Sequence, residues 1–271
     1  MLAAERQSLI VEEIRRRGAI RVSELTELLG VSDMTIRRDL DVLAGSGLIE
    51  KVHGGATARR SHSTDEPGFE TKSERQFREK EAIALAAAEL VEPGQAIALG
   101  AGTTTWRLAH HLLDVPELTV VTNSMRIADV LHRSRRSDLT VVLIGGVRTP
   151  SDALVGPVAV TALGSLHVDV LFSGAHGMTV DAGLTTPNLL EAETNRALIG
   201  CAERLVVTAD HTKWGVRGLS RFARLQEANV LITDGGLPAE ARTLVGELVG
   251  HLVLAPGRRR GAGADGSGRV P

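Results

Sequence analysis

The sequence predicts a protein of α/β class in two parts, a small helix-rich N-terminal domain carrying a hairpin and a larger layered α/β domain. Three observations predict it. Residues 5–45 place apolar side chains at helical spacing, with glycines at 18 and 30 between the runs. Residues 59–67, RRSHSTDEP, are polar and turn-rich, the composition of a linker. Beyond residue 81, short runs rich in Val, Leu and Ile alternate with helical patterns, as in strands buried on both faces of a mainly parallel sheet.

In the first part, residues 5–17 form a helix with Leu9, Ile10 and Ile14 on one side, stopped by Gly18. Residues 22–29 form a second short helix, with Ser23 near its start and Val22, Leu25, Leu28 and Leu29 available to a core. Gly30 allows a sharp turn. The third helix starts near Ser32 as N-cap, and Ile36, Leu40 and Leu43 make its buried stripe. Met34, Arg38 and Asp41 then lie on the opposite face, flanked by Thr35 and Arg37. Gly45 and Gly47 end this helix, residues 48–52 alternate weakly, and His53-Gly54-Gly55 reads as the turn of a hairpin. Two helices joined by a glycine turn and followed by a hairpin describe a winged helix-turn-helix, whose second helix suits a DNA major groove. Ser32, Met34, Thr35, Arg37 and Arg38 are its candidate DNA contacts, and Lys51 and His53 on the wing can approach phosphates. The bland alternative is a three-helix domain with solvated arginines.

Charge adds little. Net charge is -2 for the whole chain. Residues 1–60 hold ten Lys and Arg against nine Asp and Glu, so any nucleic-acid footprint is local. Cys201 stands alone, which excludes an intramolecular disulfide and a multi-cysteine zinc site and fits a cytoplasmic protein. No signal peptide and no transmembrane run is expected.

The connector continues through residues 69–80, densely charged with both signs, with Phe69 and Phe77 as its apolar points and a partly helical character. The second domain has candidate helices at 78–91, 103–112, 124–134, 188–203 and 238–249. Its candidate strands are 96–99, 118–122, 139–144, 168–173, 204–209, 229–233 and 251–254. Ligands of open α/β sheets bind beyond the C-terminal ends of strands. Four such ends are candidates for one pocket. They are Gly102-Thr103-Thr104-Thr105, Thr122-Asn123-Ser124, Gly145-Gly146, and the stretch with Gly174, His176 and Gly177. A fifth carries Asp210 and Lys213. Hydroxyls, an amide and backbone donors at a helix start suit a small polyhydroxylated, phosphorylated ligand. The first loop lacks the GK[ST] of a Walker loop and the GxGxxG of a dinucleotide site. Lys213 can neutralise a phosphate and Asp210 can bind hydroxyls, with a turn-capping Asp and a solvated Lys as the alternative. Glu191 and Glu193 read as cap or salt-bridge residues, and Cys201 as core packing. No metal-ligand cluster is visible and no cofactor is expected.

Both parts resemble one family. The run Val22-Ser23-Glu24-Leu25, then Val31-Ser32 with Thr35-Ile36-Arg37-Arg38-Asp39-Leu40, and Leu43, Gly47, Leu48 and His53-Gly54-Gly55-Ala56, resemble the N-terminal domain of the DeoR (GlpR-type) bacterial transcription regulators. Gly102-Thr103-Thr104, Thr122-Asn123-Ser124, Gly145-Gly146, Gly156-Pro157, Gly174 with Gly177, Gly183-Leu184-Thr185-Thr186, Glu191-Ala192-Glu193, Asp210 with Lys213, and Ile232-Thr233-Asp234 resemble its sensor domain. The resemblance implies a Rossmann-like second domain related to the ribose-5-phosphate isomerase and glucosamine-6-phosphate deaminase folds. It implies a non-enzymatic repressor of carbohydrate genes whose affinity for double-stranded operator DNA is set by a phosphorylated sugar or polyol, acting as a homodimer or homotetramer away from membranes. The chain departs from the family pattern at Gly100, where an Asp is usual, and at Thr194-Asn195, where a Lys is common. The expected boundaries are 1–58 for DNA binding, 59–74 for the linker, 75–256 for the sensor and 257–271 for a disordered tail. A sugar-phosphate isomerase or deaminase with an appended DNA-binding domain is the alternative reading.

Overall fold

The structure, a computed structural model, describes residues 2–45, 48–58, 63–66 and 68–257. Gly47, residues 59–62 of the expected linker and residues 258–271 of the expected tail lie outside the described residues. Two compact units divide the chain, Met1–His62 and Ser63–Pro271. Among the described residues, no helix is long and apolar enough to cross a membrane.

The first unit runs α1 (Ala3–Arg17), β1 (Ala19–Arg21), α2 (Val22–Leu29), α3 (Asp33–Gly45), β2 (Ile49–Val52) and β3 (Gly55–Ala58). The three helices and the hairpin are those the sequence predicts. β1 is not, because three residues between two helices are too few to show alternation. It pairs antiparallel with β3 and makes a three-stranded sheet in the order β1-β3-β2. The core gathers Ile10, Ile14, Ile20, Val22, Leu25, Ile36, Leu40, Leu43 and Ile49, all buried. Leu9 and Leu28 correct the expected stripes, for they are 39% and 50% exposed. Each sits on the rim of its helix's apolar face rather than at its centre.

One charged contact is sealed into this unit. Asp39, on the core side of α3, is 3% exposed. It accepts hydrogen bonds from Arg6 Nε at 2.5 Å and Gln7 Nε2 at 3.0 Å, both on α1. Burial alone would lift the Asp39 carboxyl, but these donors hold it below the usual carboxylate range. The pair therefore fixes the azimuth of α3 against α1.

The second unit begins with α4 (Phe69–Glu74) and α5 (Phe77–Ala88). Then follow β4 (Ala96–Leu99), α6 (Thr103–His111), β5 (Thr119–Thr122), α7 (Met125–Arg133) and β6 (Thr140–Leu143). A hairpin of β7 (Val147–Arg148) and β8 (Leu154–Val155) leads to α8 (Pro157–Leu163) and β9 (Val168–Ser173). The remainder is β10 (Gly177–Thr179), β11 (Gly183–Thr186), α9 (Leu189–Gly200), β12 (Ala202–Thr208), β13 (Ser220–Ala223), β14 (Val230–Asp234), α10 (Ala239–Leu248) and β15 (His251–Ala255).

All seven predicted strands belong to one sheet, ordered β15-β14-β12-β9-β4-β5-β6, and every pairing in it is parallel. The alternation along its central strands splits the core in two. Ile97, Leu99, Val120, Val170, Phe172, Val206 and Ile232 pack with Ile83, Leu108 and Ile127 of α5, α6 and α7. Ala98, Val121, Leu171, Leu205, Val207 and Leu231 pack with Leu163, Leu198 and Val245 of α8, α9 and α10. The unit is a three-layer α/β fold. The second cluster also takes in Met178, Leu184 and Phe222 from an antiparallel sheet, β10-β11-β13, that the sequence reading does not anticipate. Its strands are three or four residues long and pair across a long insertion, so no local pattern reveals them.

Removing the Asp39 carboxylate leaves Arg6 partly buried beside an unfilled site, a loss of about 3 kcal/mol. Asp39→Ala should speed amide exchange across α1 and α3 about a hundredfold in the full chain, leaving the sheet of the second unit unaffected. The carboxyl's depressed pKa adds a sign: its contribution is present above the ordinary Asp pKa and is lost as pH falls through the lowered value. The wild-type unit should therefore approach the Asp39→Ala variant in strong acid.

Candidate functional site

The helix-turn-helix presents the face of α3 that the core leaves out. Met34 is 76% exposed, and Arg37 and Arg38 are exposed beside it. Ser32 opens the helix: its Oγ accepts from Thr35 N at 3.3 Å and lies 2.9 Å from Thr35 Oγ1. Arg37 pairs with Asp33 one turn earlier, Nε to Oδ1 at 2.5 Å, and Lys51 of β2 pairs with Asp41. Both pairs are solvent-exposed and so weakly held, and either cation can exchange its carboxylate for a phosphate. Arg38 has no ion pair with any described residue. His53 is exposed at the hairpin turn. A groove between α1 and α3 runs past Gln7, Ser32, Met34, Thr35, Arg38 and Val42. Gln7 and Val42 were not singled out from the sequence, since Gln7 lies on α1 outside the helix-turn-helix and Val42 is an apolar residue of α3 with no hydrogen-bonding group.

In the second unit, chain order reverses at β4. From β4 the chain steps outward through β5 to β6, then returns to the opposite side as β9, β12, β14 and β15. The loops leaving β4 and β9 at their C-terminal ends diverge there, and a cleft opens between them. It is lined by Gly102, Thr103 and Thr104 after β4, by Gly174, Ala175 and His176 after β9, and by Lys213 after β12. Lys72 of α4, Lys80 of α5, Ser151, Thr186, Glu191, Asn195 and Thr208 complete the polar lining, and Phe69 and Phe222 supply apolar walls.

Six of the predicted ligand residues thus meet in one cleft: Gly102, Thr103, Thr104, Gly174, His176 and Lys213. The others are not part of its lining, and most of them brace or pack against nearby backbone. Thr105 Oγ1 donates to Gly100 O at 2.6 Å, and Thr122 Oγ1 donates to Leu99 O at 2.7 Å. Asn123 Oδ1 accepts from Ala101 N at 2.7 Å and its Nδ2 donates to Leu154 O at 3.3 Å, bracing the loop after β4. Ser124 caps α7 by accepting from Ile127 N at 3.3 Å. Gly145 and Gly146 follow β6, an edge strand two places from β4. Gly146 has φ 137° and packs on the Val155 backbone, where a Cβ would come within 2.5 Å of the carbonyl oxygen. A Cβ at Gly177 would lie 2.2 Å from Val216 O. Asp210 is buried and accepts from Thr212 N at 3.1 Å, closing the turn that carries Lys213.

Glu191 corrects the sequence reading. The cap of α9 is Asn188, whose Oδ1 accepts from Leu190 N at 3.0 Å and Glu191 N at 3.2 Å. The Glu191 carboxylate instead faces the cleft and accepts from Thr186 Oγ1 at 2.7 Å, Thr149 Oγ1 at 3.1 Å and the Ser151 hydroxyl. Cys201 is buried, as expected, and burial pushes its thiol pKa up.

Positive charge dominates the cleft. Lys80 is 3% exposed, and its Nζ donates to Lys72 O at 2.5 Å. Burial and the neighbouring Lys213 charge bring its pKa down to about 8. Burial likewise lowers Lys72. His176 falls to about 4, through burial and then the charges of Lys213 and Lys72, and is neutral near pH 7. Three lysines therefore converge beside the first turn of α6, whose N–H groups have no partners within the helix. Such a cleft can hold a dianion, with hydroxyls, Glu191 and Asn195 left to bind a polar remainder.

The comparisons agree with both halves of this geometry. A model described as the DeoR-like helix-turn-helix domain matches residues 6–62, and one described as the DeoR C terminal sensor domain matches residues 75–235. The chain is 37% identical to the uncharacterised HTH-type transcriptional regulator YulB of Bacillus subtilis, over 96% of this chain and 100% of that protein. It is 35% identical to the lactose phosphotransferase system repressor of Streptococcus mutans, over 86% of this chain and 93% of that one. A ribose-5-phosphate isomerase solved with phospho-erythronic acid overlaps 50% of this chain and 52% of its own, at 16% identity and a TM-score of 0.38. With a matched reading head, a matched sensor domain and relatives aligned along nearly their whole length, the chain belongs to the DeoR family of transcriptional regulators.

Proposed function

We propose that this regulator represses genes of carbohydrate metabolism from the cytoplasm, and that a phosphorylated sugar or polyol in the cleft of the second unit sets its operator affinity. The observation that carries this reading is the convergence of Lys72, Lys80 and Lys213 on the start of α6. The lysines and the helix start hold the phosphate, while Thr103, Thr104, Glu191 and Asn195 take the hydroxyls. Repression is favoured by the relative named as a lactose phosphotransferase system repressor. Regulation follows from linkage: a ligand that prefers the weak-binding form lowers DNA affinity by its differential affinity for the two forms.

On the DNA side, Arg38 and Thr35 read base edges, while Arg37, Lys51 and His53 contact phosphates. One recognition helix covers a short half-site, so the chain acts as a homodimer or a larger even assembly. The cleft binds without turnover. His176, with a pKa near 4, is a weak base at neutral pH, and the carboxylates of Glu191 and Asp210 are occupied by hydroxyl and amide donors.

Arg38→Ala should weaken binding to the chain's own upstream DNA by about ten- to a hundredfold at fixed salt. Lys51→Ala should act evenly across sequences and lower the slope of log K against log salt by about one. Unchanged affinity in Arg38→Ala would remove the assigned reading role. Lys213→Met should abolish release of DNA by a panel of sugar monophosphates while leaving ligand-free DNA affinity intact. Turnover of any member of the panel by the wild type would favour the isomerase or deaminase reading instead.

The lowered Lys80 pKa gives the ligand a pH dependence. A bound dianion favours protonated Lys80, so binding takes up a proton once the empty cleft has lost it. Affinity for a sugar monophosphate should hold from pH 7 to about 8 and fall above it, by up to about tenfold per pH unit. Calorimetry between pH 7 and 9.5 checks this, since the phosphate itself is fully ionised over the range in which the affinity falls.

A further inference from the structure

The outward face of α3 carries a large apolar side chain that the core does not use. Met34 is 76% exposed, well above Leu9, Leu28 and Val42 on the helices of the same unit. Leu29, Val31 and Ala44 pack against the core cluster of that unit, and Met34 lies outside it. Met34 is the second residue of α3. It sits between Ser32 and Thr35, whose hydroxyls lie 2.9 Å apart and hold the first turn. Arg38 and Val42 follow at intervals of four residues, so the three side chains share one face of the helix. All three border the same groove. Val42 ends the row about 12 Å further along the axis.

A lone exposed methionine elsewhere on a surface needs no explanation, but this one stands in a row with the reading arginine. Its thioether donates no hydrogen bond, carries no charge and is a weak acceptor. It can therefore neither hold a phosphate nor match the donors and acceptors of a base edge. Pressed against a polar base edge, it would strip water from groups that it cannot satisfy. The major groove offers one apolar group, the C5-methyl of thymine. In helix-turn-helix complexes the N-terminal residues of the second helix approach the base edges, and that is where Met34 lies. An unbranched side chain with three rotatable bonds can follow a methyl group through small changes of docking angle.

We propose that Met34 reads the C5-methyl group of one thymine in each operator half-site, beside the base pair met by Arg38. The proposal rests on the reading of α3 as the base-contacting helix and adds a base preference that no hydrogen bond supplies. Four residues separate Met34 from Arg38, about 6 Å of helix axis and about two base steps of the duplex. The thymine therefore lies within about two base pairs of the one that Arg38 reads. The discrimination is apolar. Loss of the methyl group leaves every phosphate contact and every base hydrogen bond in place, so its penalty does not change with salt.

The test uses the full chain and its own upstream DNA, with single dT→dU replacements across the protected region. Each replacement deletes one methyl group and keeps the base pairing. At one position of a half-site, dU should weaken wild-type binding about fourfold at every salt concentration, the contribution of one methyl group removed from water. Met34→Ala should bind the unmodified DNA about fourfold or more weakly and lose nothing further at that dU, while Met34→Leu should keep the loss. Thr35→Ser removes the other methyl group of the first turn and should keep the loss too. If the dU penalty persists in Met34→Ala, or vanishes in Thr35→Ser, another group holds the methyl and the proposal is overturned. If the wild type binds every dU variant like the parent DNA while Arg38→Ala weakens binding, α3 still reads bases and the methyl contact is overturned. If neither Arg38→Ala nor Met34→Ala changes affinity, the reading of α3 and the proposal fall together.

Discussion

A parallel sheet whose chain order reverses beside its central strand cannot close its C-terminal edge, and this constraint organises the second unit. β5 and β6 lie on one side of β4, and β9, β12, β14 and β15 on the other. The crossovers on the two sides pack on opposite faces, α6 and α7 against one and α8, α9 and α10 against the other. The loops after β4 and β9 must therefore part, and the gap between them is the cleft. Everything placed there follows from it. The start of α6 points in from one lip, the loop with His176 forms the other, and Lys213 arrives from the next strand along.

Burial and mutual repulsion work against the lysines of the cleft. Lys80 donates to a backbone carbonyl of α4, and Glu191 gathers three hydroxyls from two separate segments. The first contact joins α4 to α5, and the others bind the β7–β8 hairpin loop, β11 and α9 into one wall. On the reading proposed above, a ligand in the cleft meets elements that these hydrogen bonds join to one another. In the first unit the Asp39 contact with Arg6 and Gln7 does comparable work, sealing α1 to α3 so that the exposed face of α3 is held at one angle.

Much of the architecture was legible in the sequence. Local rules suffice where a segment's own pattern decides its state. The period of apolar residues gave α1, α2 and α3, the glycine and hairpin signals gave the wing, and Val-, Leu- and Ile-rich runs gave all seven strands of the parallel sheet. The first-turn threonines of α6, the Gly174–His176 loop and Lys213 could be picked out because each follows a strand end. The same rule selected Thr122, Asn123 and Ser124, which hold backbone instead, and Gly145 and Gly146, which lie outside the cleft beside β6. Being at a strand end is a local property, but lying beside the reversal depends on strand order, and strand order is not written in any one segment.

What the sequence by itself determined is therefore the set of elements and the chemistry available at their ends: a reading helix with Thr35, Arg37 and Arg38 outward, and a sheet with hydroxyls, glycines and a lysine beyond its strands. Tertiary structure alone decided which of these meet. It turned Glu191 from an expected cap into a cleft residue, buried Asp39 against α1, and brought Lys72 from a charged connector to within reach of Lys213, 141 positions further along the sequence. The physical reason is common to all three. A charged side chain's role is set by what desolvates and faces it, and those neighbours come from distant parts of the chain.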